Sequence, residues 1–322
     1  MDLVLKIAAA LAILLVGLSM FPGLSWLLKI RVLAAVLLGI IVMGLWAWPI
    51  VAPAEPFGIV SAPDAAGFML LMALAAGTGF AGYFITWPYG TYIGVIAVPG
   101  GMAVWALRSA SMADVLAGIA NAAQRTDFFR SLPGESFLWL LIAAGGFAGA
   151  CLGRCVLAPA AAAQVNHTES KQKLNRTANT VIAVVASSVI AFLAVTLFAQ
   201  DVKLPDSRVG YVIAQPSTGQ IAFAAFAAFG LAAFIVKEFL GAGYIWAAVS
   251  TACVSALGLG LAARPSVTEY LAGNWPADFF AGCHGAILPL QMVSFGVLGA
   301  IAGCWLAGSF EIWRREQHQQ GL

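Results

Sequence analysis

Charge is what this sequence has least of: Asp, Glu, Lys and Arg together make 9% of it, where a soluble domain carries about a quarter. With so few charged groups the chain cannot clothe a globule in polar surface. The formal net charge is only +2, and the basic residues are scattered, so nucleic acid is excluded as a partner. Histidine is nearly absent at three residues. There is no phosphate-cradling Gly-rich loop, no His-Glu-x-x-His and no Gly-x-Ser-x-Gly, and no nucleophile–base pair stands out. The enzyme question stays open and leans to no; no catalytic residue or metal ligand set is assigned, and the cofactor is unknown. Five cysteines fall mostly inside apolar runs and read as small buried hydrophobes. Cys151 and Cys155 share a helix face, but a zinc site needs four ligands.

What the sequence has is apolar length. Hydrophobic residues make 61% and the mean hydropathy is +0.92, which places the chain in a lipid bilayer as an all-α polytopic integral membrane protein. Residues 3–20 form a first apolar run. No small-x-small cleavage site follows it, so it reads as a retained span. A second span covers 30–52. The run Phe68–Leu107 is long enough for two helices around the turn Trp87-Pro88-Tyr89-Gly90, and Ile221–Ala263 is likewise double. Single spans at 137–158, 178–199 and 286–308 complete about nine transmembrane helices. Between them lie a polar stretch, 164–176 with His167, Glu169 and Lys171, and a loop carrying Asp201, Lys203, Asp206 and Arg208.

The chain also repeats itself. Ser111–Gly134 and Ser266–Gly285 both run Ser-x-x-Asp/Glu, then x-Leu-Ala-Gly, a spacer, Asp-Phe-Phe, four further residues and a Gly. The spacer is eight residues in the first copy and four in the second. The segment Phe57–Pro63 echoes Val209–Pro216, and Gly146–Gly153 echoes Gly296–Gly303, in the same order and at an interval near 150 residues. Self-similarity at a fixed long interval marks a duplication. The expected layout is an amino-terminal helix (1–25), a four-helix repeat (26–160), a polar cytoplasmic linker (161–176), a second four-helix repeat (177–310) and a polar tail (311–322). Four spans per unit make the repeats parallel, related by an axis along the membrane normal. Nine of the 16 Lys and Arg fall inside, against seven outside, when the amino terminus is external and the carboxy terminus cytoplasmic. The expected home is a bacterial cytoplasmic membrane, with the lipid bilayer as partner and a homo-oligomer or other membrane subunits as companions.

Each motif copy looks like a capped surface helix, with Ser111 and Ser266 as helix starts, followed by a re-entering segment. Asp127 and Asp278 are then either helix caps with aromatic anchors or two acids flanking a mouth. Positions that differ between the copies are the better candidates for specialised roles: Arg130 is matched by Ala281, Leu132 by Cys283 and Pro133 by His284. His284 is the only His near a predicted span, suited to proton transfer or ligation or else bonded to a loop carbonyl. Lys237 and Glu238 sit where the chain must turn, either snorkelling to water or, for Glu238, facing a cavity. The expected binding or pathway residues are Asp127, Arg130, Asp278, Cys283, His284, Glu238 and Lys237. The expected function is a transporter or channel for a small solute, with a pathway near the pseudo-twofold axis between the repeats. The alternative is a non-catalytic subunit of a larger membrane complex, and a membrane-embedded enzyme comes third.

Overall fold

A computed structural model describes residues 2–19, 25–53, 58–61, 63–119, 121–157, 173–208, 210–274, 277–278, 280 and 282–319. The polar stretch with His167, Glu169 and Lys171 lies outside the described residues. Of the described residues, 82% are helical, so the all-α reading holds. The helices are α1 (Asp2–Ser19), α2 (Trp26–Gly39, continued as a π-helix over Ile40–Trp46), α3 (Trp48–Val51), α4 (Ala65–Ile85), α5 (Gly90–Ile93), α6 (Ala97–Arg108), α7 (Met112–Gly118), α8 (Ala122–Leu157) and α9 (Lys173–Phe198). After a hairpin of β1 (Val202–Asp206) and β2 (Gly210–Ala214) come α10 (Thr218–Leu240), α11 (Tyr244–Ala262), α12 (Pro265–Gly273), α13 (Cys283–Ala286) and α14 (Pro289–Gln319).

Eight stretches among the described residues are helical, long and apolar enough to cross a membrane: Trp26–Trp46, Ala65–Ile85, Gly90–Arg108, Ala123–Leu157, Thr177–Phe198, Thr218–Leu240, Tyr244–Ala262 and Pro289–Arg314. This makes the chain an integral membrane protein by length and composition. The apolar part of α1, Leu3–Gly17, is shorter than these eight.

The chain divides into two compact units. The first comprises Met1–Ser109 and Leu141–Glu169, the second Ala110–Leu140 and Ser170–Leu322. The long helix α8 therefore supplies its first half to the second unit and its second half to the first. Local contacts explain why the segment before Leu140 sides with the second unit. The Gln215 side chain accepts a hydrogen bond from the Ala113 amide at 2.8 Å, and Ser136 donates to the Ser255 hydroxyl on α11 at 2.8 Å.

Inside the first unit, α8 crosses α4 with almost no gap. A Cβ added at Gly149 would land on the Ala76 carbonyl. Glycine there removes the side chain that would hold the backbones apart, the usual device of membrane helix packing. Only two polar side chains are fully buried in this unit among the described residues, Thr78 and Thr86. Both hydroxyls donate to a carbonyl four residues back in their own helix, at 2.7 Å. The second unit repeats the crossing between α14 and α10: a Cβ at Gly299 would land on the Phe226 carbonyl. Gly149 and Gly299, like Ala76 and Phe226, are 150 positions apart. Its interior is otherwise different. Ser136, Ser187, Ser250, Thr251, Ser255, Asp278, Gln291 and Ser294 are all buried there.

Several local expectations are corrected. The segment after Asp201 is a hairpin, not a loop, with Val202 paired to Ala214 and Asp206 to Gly210; the turn closes with the Arg208 amide donating to Asp206 at 2.8 Å and Gly210 at φ +82°. In the first motif copy Ser111 does cap a helix, α7, with a reciprocal capping box to Asp114. Asp127, however, is no cap. Helix α8 begins at Ala122, with the Asn121 side chain accepting from the Ala123 amide at 3.0 Å, and runs unbroken through Asp-Phe-Phe and Pro133. In the second copy Ser266 is not the cap either, because Pro265 takes the first helical position and Arg264 precedes it. Lys237 and Glu238 lie within α10, which turns only at Gly241, at φ +63°.

Candidate functional site

The second unit gathers its polar groups where α9 ends and α10 begins. The organising element is α13, a single helical turn between Gly282, at φ +124°, and Pro289, the first residue of α14. Only glycine adopts that φ without strain. The entry to α14 is secured by the Leu288 amide donating to the Gln291 side chain at 3.2 Å. Because α13 is so short, it can lie below the end of α9 rather than beyond it. Its His284 ring stacks on Phe192, with centroids 4.0 Å apart and planes 12° from parallel. Phe192 is six residues before the end of α9, which puts the stack about 9 Å inside that helix end. The close approach is made possible by Gly258 on α11, where a Cβ would sit 2.7 Å from the His284 Cβ.

The two nitrogens of His284 have different surroundings. Nε2 lies 3.0 Å from the Thr196 hydroxyl, which also lies 2.9 Å from the Phe192 carbonyl. A hydroxyl has one proton to give. If Thr196 donates it to Phe192, then Nε2–H donates to Thr196 and Nδ1 carries a lone pair. Nδ1 is buried and has no partner. An orphaned acceptor is less costly than an orphaned N–H, so the Nε2–H tautomer is the consistent one. Burial pushes the ring's pKa below the ordinary histidine value, with a smaller opposing push from the Phe192 carbonyl.

Cys283, beside it, is buried and points its thiol at the Val195 carbonyl, 3.9 Å away. Burial first, and the negative charge of Asp201 second, push that thiol up to about 11. It is therefore a thiol, not a nucleophilic thiolate, at neutral pH. Asp201, just past α9, is itself raised by burial, and its Oδ1 has no hydrogen-bond partner.

Asp278 is 2% exposed. Its backbone bridges to Ile213 of β2, whose amide donates to the Ala277 carbonyl at 2.8 Å. One carboxylate oxygen accepts from the Tyr270 hydroxyl at 2.7 Å; the other, Oδ1, is buried with no partner. That hydrogen bond is the main reason the Tyr270 phenol is raised above its ordinary pKa. Gln215, which the sequence reading did not single out, ties the region together. It accepts from Ala113 on α7 and donates to the Ala286 carbonyl of α13, both at 2.8 Å. The available signal was that Val209–Pro216 is one residue longer than the echoing Phe57–Pro63, Gln215 being the residue inserted between the matching Ala and Pro.

Below α13 the polar character continues along one face of α11. Gly258 faces His284, Ser255 one turn earlier pairs with Ser136, and Thr251 one turn earlier again packs beside Gly296. Residues three and four apart share a helix face, so these positions form a column. Thr251 and Ser250 donate to carbonyls of their own helix at 2.6 and 2.7 Å, while the buried Ser187 hydroxyl on α9 has no partner.

The structure thus brings Asp278, Cys283 and His284 to one end of the second unit and leaves the other expected residues elsewhere. Asp127 and Arg130 are exposed on α8 and paired loosely at 3.9 Å. No hydrogen bond or ion pair joins Asp127 to Asp278 among the described residues. Glu238 pairs with Arg314 of α14. With the half-buried Lys237 it lies at the far end of α10 from Thr218. Among the described residues, no group of three His, Cys, Asp or Glu is placed to hold a metal ion. Comparison with protein-family models, curated proteins and solved structures finds no match to this chain.

Proposed function

We propose that this chain is a transporter or channel for a small polar solute, with its pathway lined by the buried polar side chains of the second unit. One observation carries the reading. Eight polar side chains are buried in that unit among the described residues; they include a column of hydroxyls within the apolar helix Tyr244–Ala262 and an acid, Asp278, beyond its end. Polar and ionisable groups inside a bilayer are expensive, and by default they mark a route for a solute or ion. His284 and Asp278 stand at one end of the column as the groups that meet a solute first. Nδ1 of His284 offers an unpaired acceptor, and Asp278 an unpaired carboxylate oxygen.

The scaffold in this reading is a duplication, one amino-terminal helix followed by two parallel four-helix repeats. The matching glycine crossings, Gly149 on Ala76 and Gly299 on Phe226, support it alongside the sequence echoes. The orientation keeps the basic residues of 164–176 and of the carboxy-terminal tail in the cytoplasm of a bacterial cell, so the site opens on the outer face. A Cys at position 171 should react with an impermeant maleimide only after the membrane is opened; labelling of intact cells would reverse the topology. Function itself is read from swelling of liposomes carrying the purified chain, by stopped-flow light scattering with urea, glycerol and sodium chloride as probes. Flux above protein-free liposomes for any probe, reduced by His284→Phe, supports the proposal. No flux with any of the three, together with stoichiometric co-purification of another membrane protein in mild detergent, favours the subunit reading.

A further inference from the structure

Asp278 is the only acid that is fully buried among the described residues, and nothing there balances its charge. Removing a carboxylate from water costs several kcal/mol unless it is paired. One oxygen has the Tyr270 hydroxyl; the other has no partner. No ion pair reaches Asp278 among the described residues. The local backbone makes matters worse. The Ala277 and Asp278 amides both donate to the Asn274 carbonyl, so the residue follows directly on the C-terminal end of α12. That end carries partial negative charge, which repels a carboxylate and attracts a cation.

The other motif copy shows how such an acid is normally balanced. Asp127 has Arg130 three residues on, 3.9 Å away. In the second copy that position is Ala281. The acid that is exposed keeps its built-in cation, and the acid that is buried has lost it. We infer that Asp278 Oδ1 and the Tyr270 hydroxyl bind a monovalent alkali-metal cation from solution, which takes the electrostatic role that Arg130 plays for Asp127. One carboxylate balances one positive charge. A divalent ion would want more acids, and the described residues offer no cluster of them. Tyr270 is exposed, and its hydroxyl oxygen, whose proton goes to the other carboxylate oxygen of Asp278, keeps lone pairs free to ligate an ion arriving from water. This inference does not rest on the transport reading, and it is tested by binding without flux.

The full chain, purified in detergent, is unfolded by heat in sodium, potassium, choline or methylammonium chloride at equal ionic strength, followed by tryptophan fluorescence. Sodium or potassium should raise the midpoint over choline by about 3 °C at saturating salt, since a ligand that binds only the folded state stabilises it. The same rise is expected in Asp127→Asn and none in Asp278→Asn, whose amide still offers an oxygen to Tyr270. Equal midpoints in all salts for the unsubstituted chain overturn the site, as does an undiminished rise in Asp278→Asn. A rise with methylammonium and none with the alkali ions overturns it in favour of an organic amine. Should Asp278→Asn fail to fold, Tyr270→Phe decides. Losing one hydroxyl ligand should raise the half-effective cation concentration about fivefold, and an unshifted value contradicts the assignment.

Discussion

The two compact units share a backbone device and differ in what they bury. In each, one long helix lies against another through a glycine, Gly149 on Ala76 and Gly299 on Phe226, 150 positions apart in the sequence. The first unit buries two threonines among its described residues, and both spend their hydroxyls on their own helix. The second buries eight polar groups, of which the Ser136–Ser255 pair joins two helices and Ser187 and Asp278 keep unpartnered oxygens. A hydroxyl bonded four residues back is neutral to packing and closed to a solute. An unpartnered buried oxygen is a standing cost that a ligand can offset. The difference separates the shared crossing, which is backbone packing, from the buried polar groups, which among the described residues are concentrated in the second unit.

The comparison can be attacked first where the units agree. Gly149→Val and Gly299→Val should each cost about 3 kcal/mol or more, because overpacking against a backbone carbonyl has no rotamer to escape into. Both should show as loss of monodisperse protein on gel filtration. A tolerated valine in one unit alone would mean that the crossings are not equivalent.

The next effect belongs to the second unit. His284→Ala removes a stacked ring and should cost about 2 kcal/mol, read from denaturant or thermal unfolding. The pH course sharpens it. Burial lowers the folded-state pKa of His284, so the unfolded chain binds its proton first as pH falls. Stability from this residue is complete above the ordinary histidine range and is lost as pH drops through and below it. His284→Phe, which keeps a stacking ring, should flatten that acid-side loss. An unchanged acid limb would show that the ring does not titrate with folding.

Smaller still is the serine pair. A double-mutant cycle with Ser136→Ala and Ser255→Ala should return a coupling of about 0.6 kcal/mol, the usual worth of an interhelical hydroxyl bond in a membrane. Zero coupling would leave the two hydroxyls as neighbours only. Least of all, Arg130→Ala should change stability by less than about 0.5 kcal/mol, since it and Asp127 form an exposed pair screened by water.

Class and helix content were legible in the composition, because an apolar chain with so few charges has only helices with which to satisfy its backbone in lipid. The hairpin was not. Pro205 in β1 argues against a strand, and it is tolerated because β1 is an edge. The re-entering segment and the span expected at 137–158 are one helix, α8, which runs through Pro133 with the loss of a single amide donor. The asymmetry at Asp278 was half legible: Ala281 in place of Arg130 signalled a difference, but burial depends on β2, sixty-five residues earlier at Ile213. Arg314 as the partner of Glu238 was out of reach for the same reason, the two being 76 positions apart. Gln215 looked like an ordinary loop residue because its two bonds go to backbone atoms far along the chain.

The central claim is that the second unit's polar interior, and not the first unit's, passes the solute. Removing or exchanging single unpartnered polar groups tests it most directly, because it takes away polarity with little change of volume. Liposome flux of urea, glycerol and sodium chloride should be compared for Ser187→Ala and Asp278→Asn in the second unit and Thr78→Val in the first. Loss of a hydrogen-bonding group on the pathway should cut flux about tenfold, so the first two variants should fall by that much while Thr78→Val stays within about twofold of the unsubstituted chain. Equal flux in all three, or a loss confined to Thr78→Val, would contradict the account.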